Sequence, residues 1–366
     1  MERERLTFES VDVRCVLVPL RRAVVSRVGY FDQWPLILID LHTAEGVTGR
    51  SYLEPYLRGA AKSIAPVLRD LAEAKRGTPL APLDDWSASR KSLNLVGYEG
   101  IAMIAAAGLD MAAWDALAHA AGMPLARLLG GVPGPVKAYN SNGLWLSDPV
   151  TLGGEARELV AEGGFDALKL RLGRDRLEDD LEAIRVVREA VGPDIKLMVD
   201  FNQGLSFGDA LRRCHALDDA GLYWFEEPVT YNNLSGHARL ARELRTPLQL
   251  GENFYGPREL LRAIEAEAGD YVMPDLMRIG GVSGWLRSVP IASAHGLEVS
   301  THLYPEVGAT LLRVTETAHW LEWQDWAYPI LSEPFDLENG TYTVPDRPGC
   351  GISWNERAVK RLQYAA

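Results

Sequence analysis

The chain has 366 residues, 47% of them hydrophobic, which suits a barrel of about 200–250 residues plus one smaller domain. Lys and Arg total 38 against 50 Asp and Glu, a net charge of −12, which argues against nucleic acid or an anionic membrane as partner. Cys15, Cys214 and Cys350 lie far apart, outside any CxxC or Cys/His cluster, and read as free thiols of a reducing compartment. The start, MERERLTFES, has no apolar signal core, and no run approaches the roughly 18 apolar residues of a membrane span, so a cytoplasmic protein with no membrane association is expected.

Residues 6–20 and 35–56 alternate like antiparallel strands, with a turn at Glu45-Gly46, and residues 60–76, 84–94 and 99–121 carry helical periodicity. Strands followed by a helical run predict a compact α+β unit over 1–134, closed off by the Pro/Gly-rich link GGVPGP at 130–135. From 135 to 334 the pattern becomes strand and helix in alternation. The strand candidates are VKAYNSNG, FDALKLRLG, IKLMVDFNQ, LYWFEEP, LQLGENF, YVMPDLM, LEVSTHLY and AHWLEW. Helices fall between them, and only the stretch from Asn233 to Leu244 is ambiguous. Residues 335–366 read as strands around an Asn339-Gly340 turn that return to the first domain.

Most of these strands end on a charged residue followed by a polar or glycine loop, which is how a β/α barrel builds a site at one face. Asp200, Glu226 and Glu252 end three consecutive strands, 26 residues apart each time. Neighbouring barrel strands are about 5 Å apart, so the three carboxylates are expected to converge and to need a cation to relieve their repulsion. With no His or Cys in the set, Mg²⁺ is favoured over Zn²⁺. A lone acidic residue at a strand end is more often a solvated loop start or helix cap, but three in register are not. Glu227 neighbours Glu226, points to the other side of the strand and is left out of the set.

Lys169 and Arg171 are two apart on one strand and share a face beside the metal site, where they would meet its carboxylates or an anionic substrate. Across the barrel Asp275 and His302 end the sixth and seventh strands, a pairing that fixes an imidazole tautomer and leaves the other ring nitrogen to take a proton. Glu322 ends the eighth strand, where a protonated carboxyl could donate to a substrate oxygen.

The segments WPLILIDL, AAAGLDMAAWDAL, VDFNQ, EEP, GEN, MPDLMRIGGVSGW, STHL, TAHWLEW and VPDRPGCGI together resemble the enolase superfamily, and specifically its mandelate racemase subgroup. The resemblance implies a modified (β/α)₇β TIM barrel with an α+β N-terminal capping domain completed by the C-terminal segment. It implies one Mg²⁺ per subunit on Asp200, Glu226 and Glu252, a small anionic carboxylate substrate, and assembly into homo-oligomers from dimer to octamer. It also implies removal of the proton α to a carboxylate to give an enediolate, with Ser141 and Asn202 at positions that hold the substrate.

Two departures from mandelate racemase itself stand out. The lysine expected as second base is Arg171, and the capping pocket reads as polar, with Arg27 in RRAVVSRVGYFDQW and Glu54 and Tyr56 in SYLEPY. Arg27, Glu54 and Tyr56 are therefore expected to bind substrate. The first reading is dehydration of an acid sugar or related hydroxy acid, with His302 as base and then acid. The second is a racemase or epimerase, which needs Arg171 to titrate. The third is a metal-binding homologue that has lost activity.

Overall fold

The computed structural model describes residues 5–335 and 337–365; the reading of the first four residues as part of a start without a signal core lies outside them, as do Asp336 and Ala366 in the C-terminal segment. The chain opens with a long hairpin, β1 (Phe8–Ser26) and β2 (Gly29–Thr43), followed by β3 (Thr48–Leu53). Residues 21–34, between the two stretches expected as strands, continue the hairpin: Val24 pairs with Phe31 and Ser26 with Gly29, past a register shift between Pro19 and Val24. The bulge bends the ribbon and carries its tip toward the barrel.

Helices α1 (Arg58–Glu73), α2 (Pro82–Ser92) and α3 (Ile101–Ala120) follow. Contrary to the expectation of no such run, α3 is long and apolar enough to cross a membrane by composition, yet 61% of its apolar window is buried inside the protein. The sheet explains this composition. A Cβ on Gly49 of β3 would lie 2.0 Å from the Ala112 carbonyl oxygen, so strand and helix touch backbone to backbone, and small residues such as Ala105, Gly108 and Ala112 make that approach possible.

The strands β4 (Pro135–Asn140), β5 (Ala167–Arg171), β6 (Lys196–Asp200), β7 (Phe225–Glu226), β8 (Leu248–Leu250), β9 (Tyr271–Val272), β10 (Glu298–Val299) and β11 (Leu321–Trp323) come next. From β4 to β10 each pairs in parallel with the next, and β11 pairs in parallel with β4. The ring closes between β10 and the residues leading into β11: the Val299 amide donates to the Thr317 carbonyl, His319 to Val299 and Thr301 to Trp320. Helical stretches between successive strands make this a (β/α)₇β barrel, and the ambiguous stretch becomes the helix Leu234–Glu243, capped by the Asn233 side chain. The strands read as short buried apolar runs because both faces are covered.

The C-terminal segment divides. The hairpin of β12 (Leu337–Glu338) and β13 (Thr341–Thr343) adds antiparallel to β4 of the barrel. Only β14 (Gln363–Tyr364) joins the first sheet, whose order is β14-β1-β2-β3. Between them the Trp354 indole donates to Asp40 of β2 at 3.0 Å, and the Cys350 amide to Asp115 of α3 at 2.6 Å. All three cysteines are buried free thiols.

Candidate active site

Strand register brings Arg171, Asp200 and Glu226 level, since Arg171 pairs with Asp200 and Asp200 with Glu226. Glu226 pairs with Gln249, so Glu252 lies beyond the end of β8, after Gly251 at φ +131° has turned the chain. Asp275 and His302 also lie past their strands and bridge each other in parallel fashion. The expectation that these groups end strands thus holds for Asp200 and Glu226, and Glu322 lies within β11, whereas Glu252, Asp275 and His302 stand on loops extending from β8, β9 and β10.

The carboxylates do not meet one another directly. Lys169 Nζ sits among them, 2.6 Å from Glu226 Oε1, 2.7 Å from Glu322 Oε1 and 3.6 Å from Asp200 Oδ2. Burial disfavours its charge, but these three carboxylates outweigh burial and raise its pKa. Glu226 also accepts from the Trp224 indole and the Gln249 amide, at 3.1 and 3.3 Å. Burial pushes it up to about 8, Asp200 and Glu322 add to that, and Lys169 opposes it. Asp200 accepts from the backbone and side-chain amides of Asn202, at 2.7 and 2.8 Å. Glu227, turned away from Lys169, accepts from the Gly251 amide at 3.1 Å. Its other oxygen has no partner among the described residues, and burial beside Glu252 holds its pKa well above the usual range.

His302 Nδ1 lies 2.7 Å from Asp275 Oδ2. A carboxylate only accepts, so Nδ1 carries the proton and Nε2 faces the cavity, 3.1 Å from Glu252 Oε2. Asp275 is fixed in turn by the Met277 and Arg278 amides, at 2.9 and 3.1 Å, as cap of the short helix Leu276–Ile279. Burial lowers the pKa of His302, but Glu252 and Asp275 raise it well above its ordinary value.

Arg171 is locked. It donates to the Ser141 carbonyl and hydroxyl at 3.2 and 2.9 Å, and its guanidinium lies 4.0 Å above the Trp145 ring. Glu322 differs from the protonated donor expected of it. It accepts from Ser141 at 2.8 Å and from the Leu303 amide at 3.0 Å, and pairs with Lys169. Burial raises its pKa, yet Lys169, His302 and Arg171 outweigh burial and draw it down to about 2, so it is an acceptor that anchors Lys169.

Lys169, Arg171, Asp200, Glu252, His302 and Glu322 line one end of a cavity of about 310 Å³, with Glu226 and Asp275 buried behind them. Asn202 and Tyr56 line it too, and the Tyr56 hydroxyl accepts from Arg278 at 3.2 Å. Ser141 sits behind Arg171. The polar pocket expected around Arg27 and Glu54 is not what the structure shows: neither residue is among those lining the cavity. Arg27, at the hairpin tip, pairs with Asp175 at 3.7 Å and leaves the pocket to its neighbours. Glu54 is buried behind Trp34, whose indole donates to it at 2.6 Å. The far wall is aromatic instead, built from Phe31, Trp34, Tyr56, Trp145 and Trp326, with Trp34 and Trp326 ring centroids 4.3 Å apart. Arg278, Gln324 and the three tryptophans were missed; Gln324 follows Glu322 by two and so shares its face, a signal the strand period offered.

Burial pushes the Glu54 carboxyl from 4.5 up to about 8, with Asp275 and Glu306 adding and the Trp34 hydrogen bond opposing. Its folded pKa lies above its unfolded value. The stability it contributes is therefore full below about 4.5 and is lost as pH rises through about 8. Thermal stability is expected to fall from pH 6 to pH 9 in the wild type and less steeply in Glu54→Gln. Equal slopes would place the titration elsewhere.

The donor set fits a hard divalent cation. Asp200, Glu226, Glu227, Glu252, Asp275 and Glu322 outnumber the fixed cations Lys169, Arg171 and Arg278 in the same buried region, and Asp200, Glu226 and Glu252 are all-oxygen ligands of the kind Mg²⁺ prefers. As the side chains stand, no cluster of three or more His, Cys, Asp or Glu among the described residues surrounds a single point, because Lys169 and His302 reach between them.

Comparison with known proteins follows the same lines. Residues 151–358 match the model of the enolase C-terminal domain-like family, and residues 9–130 that of the mandelate racemase / muconate lactonizing enzyme N-terminal domain. The chain is 35% identical over 268 residues to the L-talarate/galactarate dehydratase of Salmonella typhimurium, covering 73% of this chain and 67% of that one. Among solved structures it is similar to an enolase of an alpha proteobacterium, bal199, with bound magnesium: 56% identity, TM-score 0.97, 98% of this chain and 100% of the other. A Bradyrhizobium enolase complexed with magnesium and mandelic acid is 41% identical, with TM-score 0.95 over 99% of this chain and 100% of that one.

Proposed function

Because the chain belongs to the enolase superfamily, in its mandelate racemase subgroup, we propose that it is an enzyme that removes the proton α to the carboxylate of a small hydroxy acid. The outcome we assign is loss of water from an acid sugar or related hydroxy acid. One observation carries this: the cavity presents a single oriented imidazole, His302 on Asp275, while the group across from it, Arg171, is held by Ser141 and Trp145.

Asp200, Glu226 and Glu252 would hold Mg²⁺, whose charge, when it is bound, lowers the cost of placing a second negative charge on the substrate carboxylate. The chain's own groups do the rest. With Glu252 committed to the metal, His302 would lose the carboxylate that most raises its pKa, and Nε2 takes the α-proton as the C–H electron pair moves toward the carboxylate. Lys169, fixed between Glu226 and Glu322, is a preorganised cation beside the charge that develops. Arginine keeps its proton to pH values above about 12, so Arg171 donates hydrogen bonds and does not abstract. His302 then returns the proton to a β-hydroxyl, which leaves as water, and the resulting enol becomes a 2-oxo acid. Dehydration by the Salmonella relative supports this outcome.

A second reading has its own support. The aromatic wall, and the mandelic acid bound by the Bradyrhizobium relative, favour an α-hydroxy acid with an aryl substituent, for which proton return without loss of water gives racemisation. Incubating the Mg²⁺-loaded protein with galactarate, talarate, arabinonate, gluconate and mandelate separates the readings. Formation of a 2-oxo acid supports dehydration, inversion without it supports racemisation, and neither would mark a non-catalytic homologue.

A further inference from the structure

Asp275 and His302 stand beyond their strands and take their aim from loops, and residues 54–56 of the capping domain grip both loops. After His302 the chain passes through two successive non-glycine residues in left-handed conformation, Leu303 and Tyr304, both at φ +51°. L-residues avoid that region, so such a turn persists only where its surroundings over-determine it. On the barrel side the Leu303 amide donates to Glu322 Oε2 at 3.0 Å. On the capping side the Glu54 amide donates to the Tyr304 hydroxyl at 2.9 Å, and the Tyr304 ring packs against Tyr52 of β3 with centroids 5.2 Å apart. Tyr304 is fully buried and is not among the residues lining the cavity.

The second grip is on the loop after β9. Arg278 donates its backbone amide to Asp275 Oδ1 at 3.1 Å, and its Nη1 stands 3.9 Å from Asp275 Oδ2. The same Nη1 donates to the Glu252 carbonyl at 2.9 Å and to the Tyr56 hydroxyl at 3.2 Å, with the guanidinium 4.9 Å from the centre of the Tyr56 ring. Asp275 Oδ2 and His302 Nδ1, which meet at 2.7 Å, are thus carried by two loops that are tied to capping positions two residues apart.

We propose that residues 54–56 of the capping domain position the Asp275–His302 pair, with Tyr304 and Tyr56 as positioning residues. Neither hydroxyl bonds to the pair itself. Tyr304 acts through the left-handed turn that follows His302, and Tyr56 acts through Arg278 on Asp275. A base removes a proton efficiently only when it is held close to the productive geometry, and such holding comes from the residues that lock its loop. The proposal rests on the reading of His302 as the base, and it gives the capping domain a part in the chemistry besides supplying the wall of the cavity.

The test uses the full-length, Mg²⁺-loaded protein and the variants Tyr304→Phe and Tyr56→Phe, each of which removes one hydroxyl and keeps the ring. Its first readout needs no substrate: the proton NMR resonance of the His302 Nδ1–H against Asp275, identified by its absence in His302→Asn. Tyr304→Phe is expected to shift or broaden this resonance and to lower the maximal rate of α-proton exchange at least about tenfold, on whichever of galactarate, gluconate and mandelate the wild type takes. KM and Mg²⁺ affinity should stay within about threefold, since Tyr304 touches neither the cavity nor the metal carboxylates. Should that variant not fold, Tyr56→Phe is expected to move the same resonance and to slow exchange severalfold. A resonance unmoved in every folded variant, whatever happens to thermal stability, overturns the proposal, as does exchange at the wild-type rate in a variant whose resonance has moved. A wild type without the resonance overturns it too, because the pair is then not fixed. The parent reading fails separately: a resonance that moves in the variants of a protein that exchanges none of the three acids would leave the positioning role standing and remove the α-proton chemistry.

Discussion

Replacing His302 by asparagine is expected to lower solvent-deuterium exchange at the substrate α-carbon by at least about 10³-fold, with the fold intact. His302 is the histidine that lines the cavity, and Asp275, capping its short helix, fixes the ring with Nε2 forward. Lys169 cannot take over. Its ammonium is clamped at 2.6 and 2.7 Å by two buried carboxylates that favour its charged form. Asparagine retains an amide that can donate to Asp275 but has no site for a proton at neutral pH. Exchange measured by mass spectrometry on galactarate and mandelate decides the matter, and a variant that still exchanged either acid would require a different base.

Asp200→Asn and Glu226→Gln should each weaken Mg²⁺ binding by at least about 100-fold and abolish activity, with the circular dichroism of the folded barrel retained. Inside the barrel Ala167, Met198 and Trp224 share the face of these groups and pack with Tyr139 and Trp320, and the larger apolar rows of Leu168, Leu197 and Phe225 lie on the other face of the strands, so removing one anionic oxygen at the top face leaves the packing alone. Titration by calorimetry reads the affinity directly. Unchanged Mg²⁺ binding in both variants would remove these two residues from the ligand set.

The barrel was legible because its strands are short apolar runs at a regular spacing, and Asp200 and Glu226 close two of them in register. Glu252, Asp275 and His302 were identified correctly as residues but not as positions, since the chain turns after β8, β9 and β10 through backbone conformations that strand periodicity does not encode. Gly251 and Leu303, at φ +131° and +51°, mark two of those turns.

The pocket was the harder part. Its polarity was inferred from the composition of the hairpin, yet in the folded ribbon Val24, Phe31 and Trp34 face the cavity while Arg27 turns to Asp175. The wall draws Trp34, Trp145 and Trp326 from the hairpin, the loop after β4 and the loop after β11. Nothing local in three distant segments announces that their rings will meet. Glu54 misled for a related reason: a carboxyl on a capping segment reads as a ligand for substrate, whereas here it accepts from the back of Trp34. The long apolar helix α3 likewise takes its composition from the close approach of Gly49, a contact 63 residues away from Ala112 in sequence.

The central claim is that His302 removes the α-proton from one face only. Its most direct test is the Mg²⁺-loaded protein in deuterium oxide, offered (R)- and (S)-mandelate separately and gluconate and mannonate, epimers at their single α-carbon, separately, with deuterium at the α-carbon read by mass spectrometry. The expected result is incorporation into, or water loss from, one α-epimer of a pair, stopped by chelation of the metal. Incorporation from both epimers at comparable rates would contradict the claim, since it would make Arg171, despite its bonds to Ser141 and its stacking on Trp145, a working base.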